Sequence, residues 1–312
     1  MELRKDYVLD RWVFIAADRK KRPKEFRKEE VKEVVKTCFF CPGSEHLTPP
    51  EIGRIGNEEG WEMRWFPNKF PAVKPEGNPE IKNNNYFFTS SSAYGHHEVI
   101  VESRDHEKQL WDLQVEDIKK ILHIYNERIT ELSNRENIKY VTIFKNHGRE
   151  AGTSIIHTHT QVVALNKVPQ LVQDEVDASK KHQNCPYCGV IETEKTSDRR
   201  CFENNTFVAF TPYASRFNFE IWAFPKRHVK EIKEFNEGEF NDLADILNKI
   251  LRKLKEINAP YNFYIHYSPR GEDLHFHIEI IPRFAVWAGF EFSSNDIINS
   301  VSPEDAAQFY RE

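Results

Sequence analysis

Four of the five cysteines fall in two Cys-x-x-Cys pairs, Cys38/Cys41 and Cys185/Cys188. Each pair is followed by a lone histidine and then by a His-x-His: His106 and His157-Thr-His159 after the first, His228 and His275-Phe-His277 after the second. Two thiolates and two imidazoles are the ligand set that tetrahedral Zn²⁺ favours. A thioredoxin-like redox pair would occur once, after a strand in a βαβ context, and would need no trailing histidines. The spacing therefore predicts two closed metal sites, Cys38, Cys41, His106 and His157 at the first and Cys185, Cys188, His228 and His275 at the second. Four protein ligands leave no open position, so both ions are expected to be structural. Zinc is expected at both, and the second set could also hold iron. Cys201 is left over and is expected to be a small buried hydrophobe.

The second histidine of the first His-x-His is free for chemistry. Residues two apart on a strand face one side, so His157 and His159 project together and Thr158 points away. An imidazole with its ordinary pKa is substantially neutral at pH 7 and can attack phosphorus through one ring nitrogen while the other is held by a hydrogen bond. Gln161, two residues further on the same face, can donate to a phosphate oxygen during that attack. His159 and Gln161 are the expected catalytic pair.

The elements that must position these residues repeat. Glu98 precedes His106 by eight residues and Glu220 precedes His228 by eight. The lone histidine precedes the His-x-His by 51 residues in the first half and 47 in the second. Apolar residues at helical spacing follow each lone histidine: Leu113, Ile118, Ile121, Leu122, Tyr125, Ile129 and Leu132, then Phe240, Leu243, Leu247, Ile250, Leu251, Leu254 and Ile257. Strands are expected at Tyr140 to Lys145 and at Asn262 to Tyr267, each leading through a turn-rich segment to the strand that carries the His-x-His. The pattern predicts an α+β chain of two tandem duplicated units, each an antiparallel sheet with a long helix, in residues 1–165 and 166–312. The polar stretch from Asn166 to Asn184 is expected to be a helical connector.

The chain has 312 residues, 30% of them charged, and a net charge of −5. That balance gives no broad electrostatic reason to bind nucleic acid. Its longest apolar runs, such as Ala285 to Phe290, are far below the roughly 20 residues of a membrane-spanning helix, and the N-terminus lacks an apolar signal stretch. A cytoplasmic protein without a membrane partner is expected.

The segment His157-Thr-His159-Thr-Gln161, after Asn146-His-Gly-Arg-Glu-Ala-Gly-Thr-Ser154, resembles the active-site segment of the galactose-1-phosphate uridylyltransferase family, a branch of the histidine-triad superfamily. Arg19-Lys-Lys-Arg22-Pro23, Cys38-Phe-Phe-Cys41-Pro42-Gly43, Phe66-Pro-Asn68-Lys-Phe70-Pro-Ala72, Arg104-Asp-His106 and Gly289-Phe-Glu291 recur there in the same order. The resemblance implies a tandem pair of histidine-triad-like units, a homodimer, and ping-pong exchange. In that exchange UDP-glucose uridylylates His159 and releases glucose 1-phosphate, and galactose 1-phosphate then takes the uridylyl group. It further implies that Asn146, Ser154 and Gln161 hold phosphates, that Asn68 and Phe70 line the nucleoside pocket, that Glu291 binds sugar hydroxyls, and that Arg19 and Arg22 contact phosphate.

The chain departs from that family in three places. Threonines stand at both positions where well-known members have prolines around His159. The Cys185/Cys188 pair resembles the ADP-glucose phosphorylase branch, and Lys69 replaces an aspartate that several relatives place beside the nucleoside. The alternative activity is therefore an ADP-sugar phosphorylase, with ADP-glucose and inorganic phosphate as partners. A non-catalytic two-zinc nucleotide-binding scaffold is the alternative of another class, and it would need neither His159 nor Gln161. The second unit has His277 where the first has His159 but lacks the glutamine, so one active and one supporting unit are expected. Histidine-triad hydrolases have a third histidine where Gln161 stands. An amide cannot act as a general acid of that kind, which favours transfer over hydrolysis. His96, His97 and His147 are expected to have surface or local hydrogen-bonding roles.

Overall fold

The computed structural model describes residues 2–15, 38–57, 60–83, 85 and 87–312. In chain order the strands are β1 (Glu2–Lys5), β2 (Trp12–Ile15), β3 (Gly53–Asn57), β4 (Gly60–Pro67), β5 (Lys82–Asn83), β6 (Thr89–Ser90), β7 (Gly95–Val101), β8 (Tyr140–His147), β9 (His159–Leu165), β10 (Arg200–Glu203), β11 (Phe207–Phe210), β12 (Ile221–Pro225), β13 (Tyr261–His266), β14 (His277–Pro282) and β15 (Ile297–Asn299). The helices are α1 (Val115–Ser133), α2 (Gln170–Ser179), α3 (Pro186–Glu194), α4 (Glu237–Glu256), α5 (Gly289–Ser294) and α6 (Pro303–Arg311).

Ten strands form one sheet in the order β10-β11-β12-β14-β13-β8-β9-β7-β4-β3. Each half supplies five of them, and the halves meet where β8 pairs antiparallel with β13, Asn146 opposite Asn262 and Lys145 opposite Phe263. The periodicity of the two long helices explains what they cover. Ile118, Ile121, Leu122, Tyr125, Ile129 and Leu132 of α1 and Phe240, Leu243, Leu247, Ile250, Leu251 and Leu254 of α4 are all buried, packing the helices against each other and against one face of the sheet. Asn236 caps α4 by accepting from the Glu239 amide while Glu239 accepts from the Asn236 amide, a capping box.

The opposite face is treated differently in the two halves. In the second half α2 and α3 lie over it, with Tyr187 of α3 packed on His277 at 5.2 Å between ring centroids. In the first half the equivalent face carries a small cluster of Phe40, Trp61, Phe66, Val99 and Val101. This asymmetry leaves His159 approachable and seals His277.

The repeat differs from the sequence expectation in two respects. The first histidine of each His-x-His precedes its strand, since β9 begins at His159 and β14 at His277; His106 and His228 likewise lie beyond the ends of β7 and β12. The matched spacing of Glu98 and Glu220 also does not reflect equivalent places. Register pairs Glu98 with Val162 but Ile221 with Ile280, so that Glu220 falls where His97 stands in the first half. Glu98 faces the helices and pairs bidentately with Arg128 at 2.8 and 2.9 Å, whereas Glu220 accepts from Arg216 on the other face.

Candidate active site and metal centres

Both predicted ligand sets converge, with one ligand atom from each residue of a set lying within 4.8 Å of the others. At the first, Cys41 Sγ lies 3.4 Å from His106 Nδ1, and both Cys38 Sγ and Cys41 Sγ lie 3.6 Å from His157 Nδ1. A tetrahedral ion with Zn–S of about 2.3 Å and Zn–N of about 2.0–2.1 Å has S···N edges of about 3.5 Å, so the donors stand where such an ion requires them. The second set gives 3.5 Å from Cys188 Sγ to both His228 Nδ1 and His275 Nδ1, and 3.9 Å from Cys185 Sγ to His275 Nδ1.

The outer nitrogens are held as metal ligands require. His157 Nε2 is 2.7 Å from the Ser103 carbonyl, His275 Nε2 is 3.1 Å from the Pro225 carbonyl, and His228 Nε2 is 2.8 Å from Asp273 Oδ1. Nδ1 of each ring is thereby left to face the cysteines. Burial and the neighbouring Cys38 push the Cys41 thiol up to about 11, and burial and Cys185 push Cys188 up to about 12. A bound cation would offset that cost by stabilising the Cys41 and Cys188 thiolates. Cys201 is buried and its thiol is pushed up by that burial, in keeping with a core residue.

His159 is 7% exposed and stands at the first position of β9. Its Nδ1 lies 2.8 Å from the His157 carbonyl, an acceptor only, so Nδ1 carries the proton and Nε2 the lone pair. Burial and the nearby Lys145 ammonium lower its pKa to about 4, which keeps the ring neutral at pH 7. The Phe40 ring, between the two cysteines of the first metal set, meets it edge-on at 5.3 Å.

The threonines flanking His159 face the helices and enter a buried network. Thr158 Oγ1 and Thr160 Oγ1 donate to Glu102 at 2.6 and 2.5 Å, Lys145 Nζ reaches Glu102 at 2.5 Å, and Tyr125 and Thr160 hydroxyls meet at 2.8 Å. Lys145 Nζ also donates to the His159 carbonyl at 3.0 Å. Burial pushes the Glu102 carboxyl up, but the Lys145 charge and the three hydrogen bonds outweigh it and hold it below its ordinary value. The histidine-bearing strand is thus anchored from behind by an ion pair that prolines at 158 and 160 could not join.

Gln161 pairs with Val99 on one side and Phe144 on the other, on the face of His159. Its Oε1 lies 3.0 Å from His97 Nε2, and its amide nitrogen makes no hydrogen bond among the described residues. Asn68, just beyond β4, lies 3.1 Å from the same His97 nitrogen and accepts from the Phe70 amide at 2.8 Å. Phe70 is 84% exposed and is no part of the core. Asn146 on β8 accepts from Asn262 Nδ2 at 2.8 Å, and Asn262 in turn accepts from Arg283 at 3.1 Å. A cavity of about 380 Å³ opens beside these residues, lined among others by Phe144, Asn146, Asn262, Tyr264 and Arg283.

Ser154 is exposed in the loop before His157. Glu291 lies on α5, beside β15 of the small three-stranded sheet, where it caps its own helix by accepting from the Ala288 amide at 2.9 Å. Among the described residues none of its hydrogen bonds reaches the His159 strand. Arg19 and Arg22 lie outside the described residues.

The second half holds no copy of this arrangement. Glu279 stands where the first half has Gln161, and Arg216 joins it to Glu220 while Tyr264 donates to Glu279 at 2.5 Å. His277 is completely buried and stacked on Phe224 at 4.8 Å. With Glu175 and His266 from the connector and β13, His277 and Glu279 form a third cluster of ligand-type side chains, which sequence reasoning missed. His277 and Glu279, two apart on one strand, were its linear signal; Glu175 and His266 join them only through the fold.

Residues 1–169 match the N-terminal domain model of galactose-1-phosphate uridyl transferase, and residues 140–285 match its C-terminal domain model. The chain belongs to the galactose-1-phosphate uridyl transferase family. An ADP-glucose phosphorylase of Arabidopsis thaliana is 33% identical, the match covering 100% of this chain and 92% of the relative. A galactose-1-phosphate uridylyltransferase of Thermotoga maritima is 29% identical, covering 100% of this chain and 98% of the relative. A crystal structure of the Arabidopsis ADP-glucose phosphorylase with bound ADP-glucose superposes with a TM-score of 0.86 at 32% identity, covering 100% of this chain and 98% of that one. Membership of this family makes the protein an enzyme, a nucleotidyltransferase, with a mixed α+β fold. Among the described residues no helix is long and apolar enough to cross a membrane.

Proposed function

We propose that the protein exchanges a nucleotidyl group between a nucleotide hexose and a phosphate-bearing acceptor through a covalent nucleotidyl-His159 intermediate. The observation that carries this reading is the His159 ring. It is buried, neutral, and held at Nδ1 by the His157 carbonyl, so that Nε2 carries the lone pair on the strand face that also bears Gln161.

In the first half-reaction Nε2 attacks the α-phosphorus of the donor. The Nε2–P bond forms as the bond from phosphorus to the bridging oxygen breaks, and that oxygen leaves with the hexose 1-phosphate. The imidazole becomes cationic, and its Nδ1–H, held by the His157 carbonyl, stabilises that charge. The free amide nitrogen of Gln161 donates to a non-bridging oxygen, where negative charge develops. Lys145, through the His159 carbonyl, keeps the strand in place. The second half-reaction reverses these bonds, with an acceptor phosphate oxygen attacking phosphorus and His159 leaving. Asn68, Phe70, Asn146, Ser154 and Glu291 are assigned to substrate, and Arg19 and Arg22 to phosphate. Zn²⁺ is assigned to both Cys₂His₂ sets, where it would tie the start of each half to its sheet. The family resemblance assigns a homodimer, and Phe70, Phe88, Val286 and Phe292 are exposed apolar side chains available for a second copy to cover.

UDP-glucose with galactose 1-phosphate is the first substrate pair. A specific observation favours a second pair, ADP-glucose with inorganic phosphate. The second metal set is built from Cys185 and Cys188, as in the ADP-glucose phosphorylase branch, and the Arabidopsis relative of that name aligns over the whole chain. Incubation with UDP-glucose and ADP-glucose labelled in the α-phosphate, in parallel, decides between them by which one labels the protein. Release of free nucleotide monophosphate without acceptor would identify a hydrolase and end the transferase reading.

A further inference from the structure

We propose that His97 is a positioning residue for this reaction, one that fixes which end of the Gln161 amide faces the transferred phosphorus. The two ends of a glutamine amide are alike in shape and opposite in chemistry: the nitrogen donates and the oxygen accepts. Only the nitrogen assists attack on a phosphate; the oxygen in its place would repel it. A glutamine that serves as a donor therefore needs something to decide its orientation.

The hydrogen-bond network around His97 makes that decision. The backbone amide of Ala72 lies 3.0 Å from His97 Nδ1 and can only donate, so Nδ1 presents its lone pair and the single ring proton sits on Nε2. Two groups lie near that proton, Gln161 Oε1 at 3.0 Å and Asn68 Nδ2 at 3.1 Å. The Asn68 carbonyl is already occupied by the Phe70 amide, so the nitrogen it turns toward His97 is another donor and cannot accept. The Gln161 oxygen is left as the acceptor. With its oxygen taken, Gln161 is left with its amide nitrogen free of any partner among the described residues. Burial lowers the His97 pKa, so the ring stays neutral and keeps this tautomer at pH 7. The Asn68 backbone amide also donates to the His97 carbonyl at 2.7 Å, which locks the loop to β7. The sheet register completes the arrangement, since His97 and Val99 share a face and Val99 lies opposite Gln161.

The inference rests on the reading of His159 and Gln161 given above. It is tested with His97→Asn, whose side chain can still accept from the Ala72 amide but is too short to reach Gln161, and with His97→Gln, which can place a donor near the position of Nε2. Residues that orient a working group from behind typically change activity by about 10- to 100-fold. His97→Asn is expected to lower single-turnover labelling of His159 by about that factor with nucleotide-sugar Kd, metal content and Tm close to wild type, and His97→Gln is expected to recover much of the loss. In a Gln161→Ala background His97→Asn should have little further effect, because a residue that acts through the amide has nothing left to orient. His97→Asn labelling within about 2-fold of wild type, or an undiminished loss in the Gln161→Ala background, would overturn the assignment while leaving His159 as nucleophile. A wild-type protein labelled by neither UDP-glucose nor ADP-glucose would overturn the functional reading, and the role of His97 with it.

Discussion

Glu102→Gln tests whether the buried ion pair behind β9 holds the strand that carries His159. Glu102 and Lys145 are 0% and 1% exposed, and their side chains meet at 2.5 Å. The substitution keeps the volume but leaves an ammonium in the core without its counter-charge, and it replaces a carboxylate that serves Thr158, Thr160 and Tyr125 with an amide that cannot accept from all of them. Breaking a buried pair by removing one partner costs about 3–5 kcal/mol. At about 2–4 °C per kcal/mol, that corresponds to a fall in Tm of roughly 6–20 °C.

The sign of the pH dependence follows from the direction of the shift. The folded carboxyl lies below its ordinary 4.5, so its stabilisation is fully present above pH 4.5 and drains away as pH falls through the lower folded value. The gap between wild type and Glu102→Gln should therefore narrow in acid. Adding Lys145→Met to Glu102→Gln should recover much of the loss, since removing both charges leaves no uncompensated ammonium in the core. Calorimetry of the three variants measures this. A Tm change under about 2 °C for Glu102→Gln, or no recovery in the double variant, would refute the argument that the pair anchors β9.

Four further outcomes are expected. His159→Ala should abolish covalent labelling while metal content is retained, and His277→Ala, although it opens a cavity beside Phe224, should still be labelled at temperatures where it is folded; equal loss of labelling in both would contradict the asymmetry of the halves. Gln161→Ala should slow both half-reactions by about 10² to 10³, the effect of losing one donor to developing charge, with nucleotide affinity nearly unchanged in a binding titration. Metal analysis should find about two zinc ions per chain, and Cys38→Ser or His106→Ala should lose one of them together with part of the roughly 10 kcal/mol that such binding contributes to folding. Sedimentation should show a dimer, and Phe70→Asp with Phe292→Asp should shift it toward monomer if these exposed rings are covered by a second copy.

The convergence of the two Cys₂His₂ groups was legible because cysteine and histidine are rare and recur at repeated spacing, and the shared strand face of His159 and Gln161 was legible from their separation of two residues. The long helices were legible from their apolar period, and α1 and α4 begin and end within a few residues of the expected span. Other features depend on register, which a linear pattern does not fix. Glu98 and Glu220 share a spacing to histidine yet occupy different strand positions, because one half has one more residue than the other between strand and ligand. His97 carried the alternation of β7 in plain view, but its partner Gln161 is 64 residues away and only strand pairing brings them together. The Glu102–Lys145 pair is equally non-local. The threonines at 158 and 160 departed from the familiar proline pattern, and the physical reason for them, two hydroxyls on one buried carboxylate, emerges only in three dimensions.

The pairing of β8 with β13 gives the second half a task unrelated to chemistry. A five-stranded half standing alone would end at β8, and that strand would present unpaired amides and carbonyls along the residues that include Asn146 and Lys145. An open edge of this kind recruits any passing strand, including its own copies. The second half covers it with β13, whose Tyr261 to Tyr264 pair with Phe144 to His147 of β8, and adds Asn262 to hold Asn146 in place. The second half, with Arg216, Glu220 and Glu279 clustered on the face where the first half carries His97 and Gln161, thereby serves as the permanent neighbour that keeps the β8 flank from pairing with other copies.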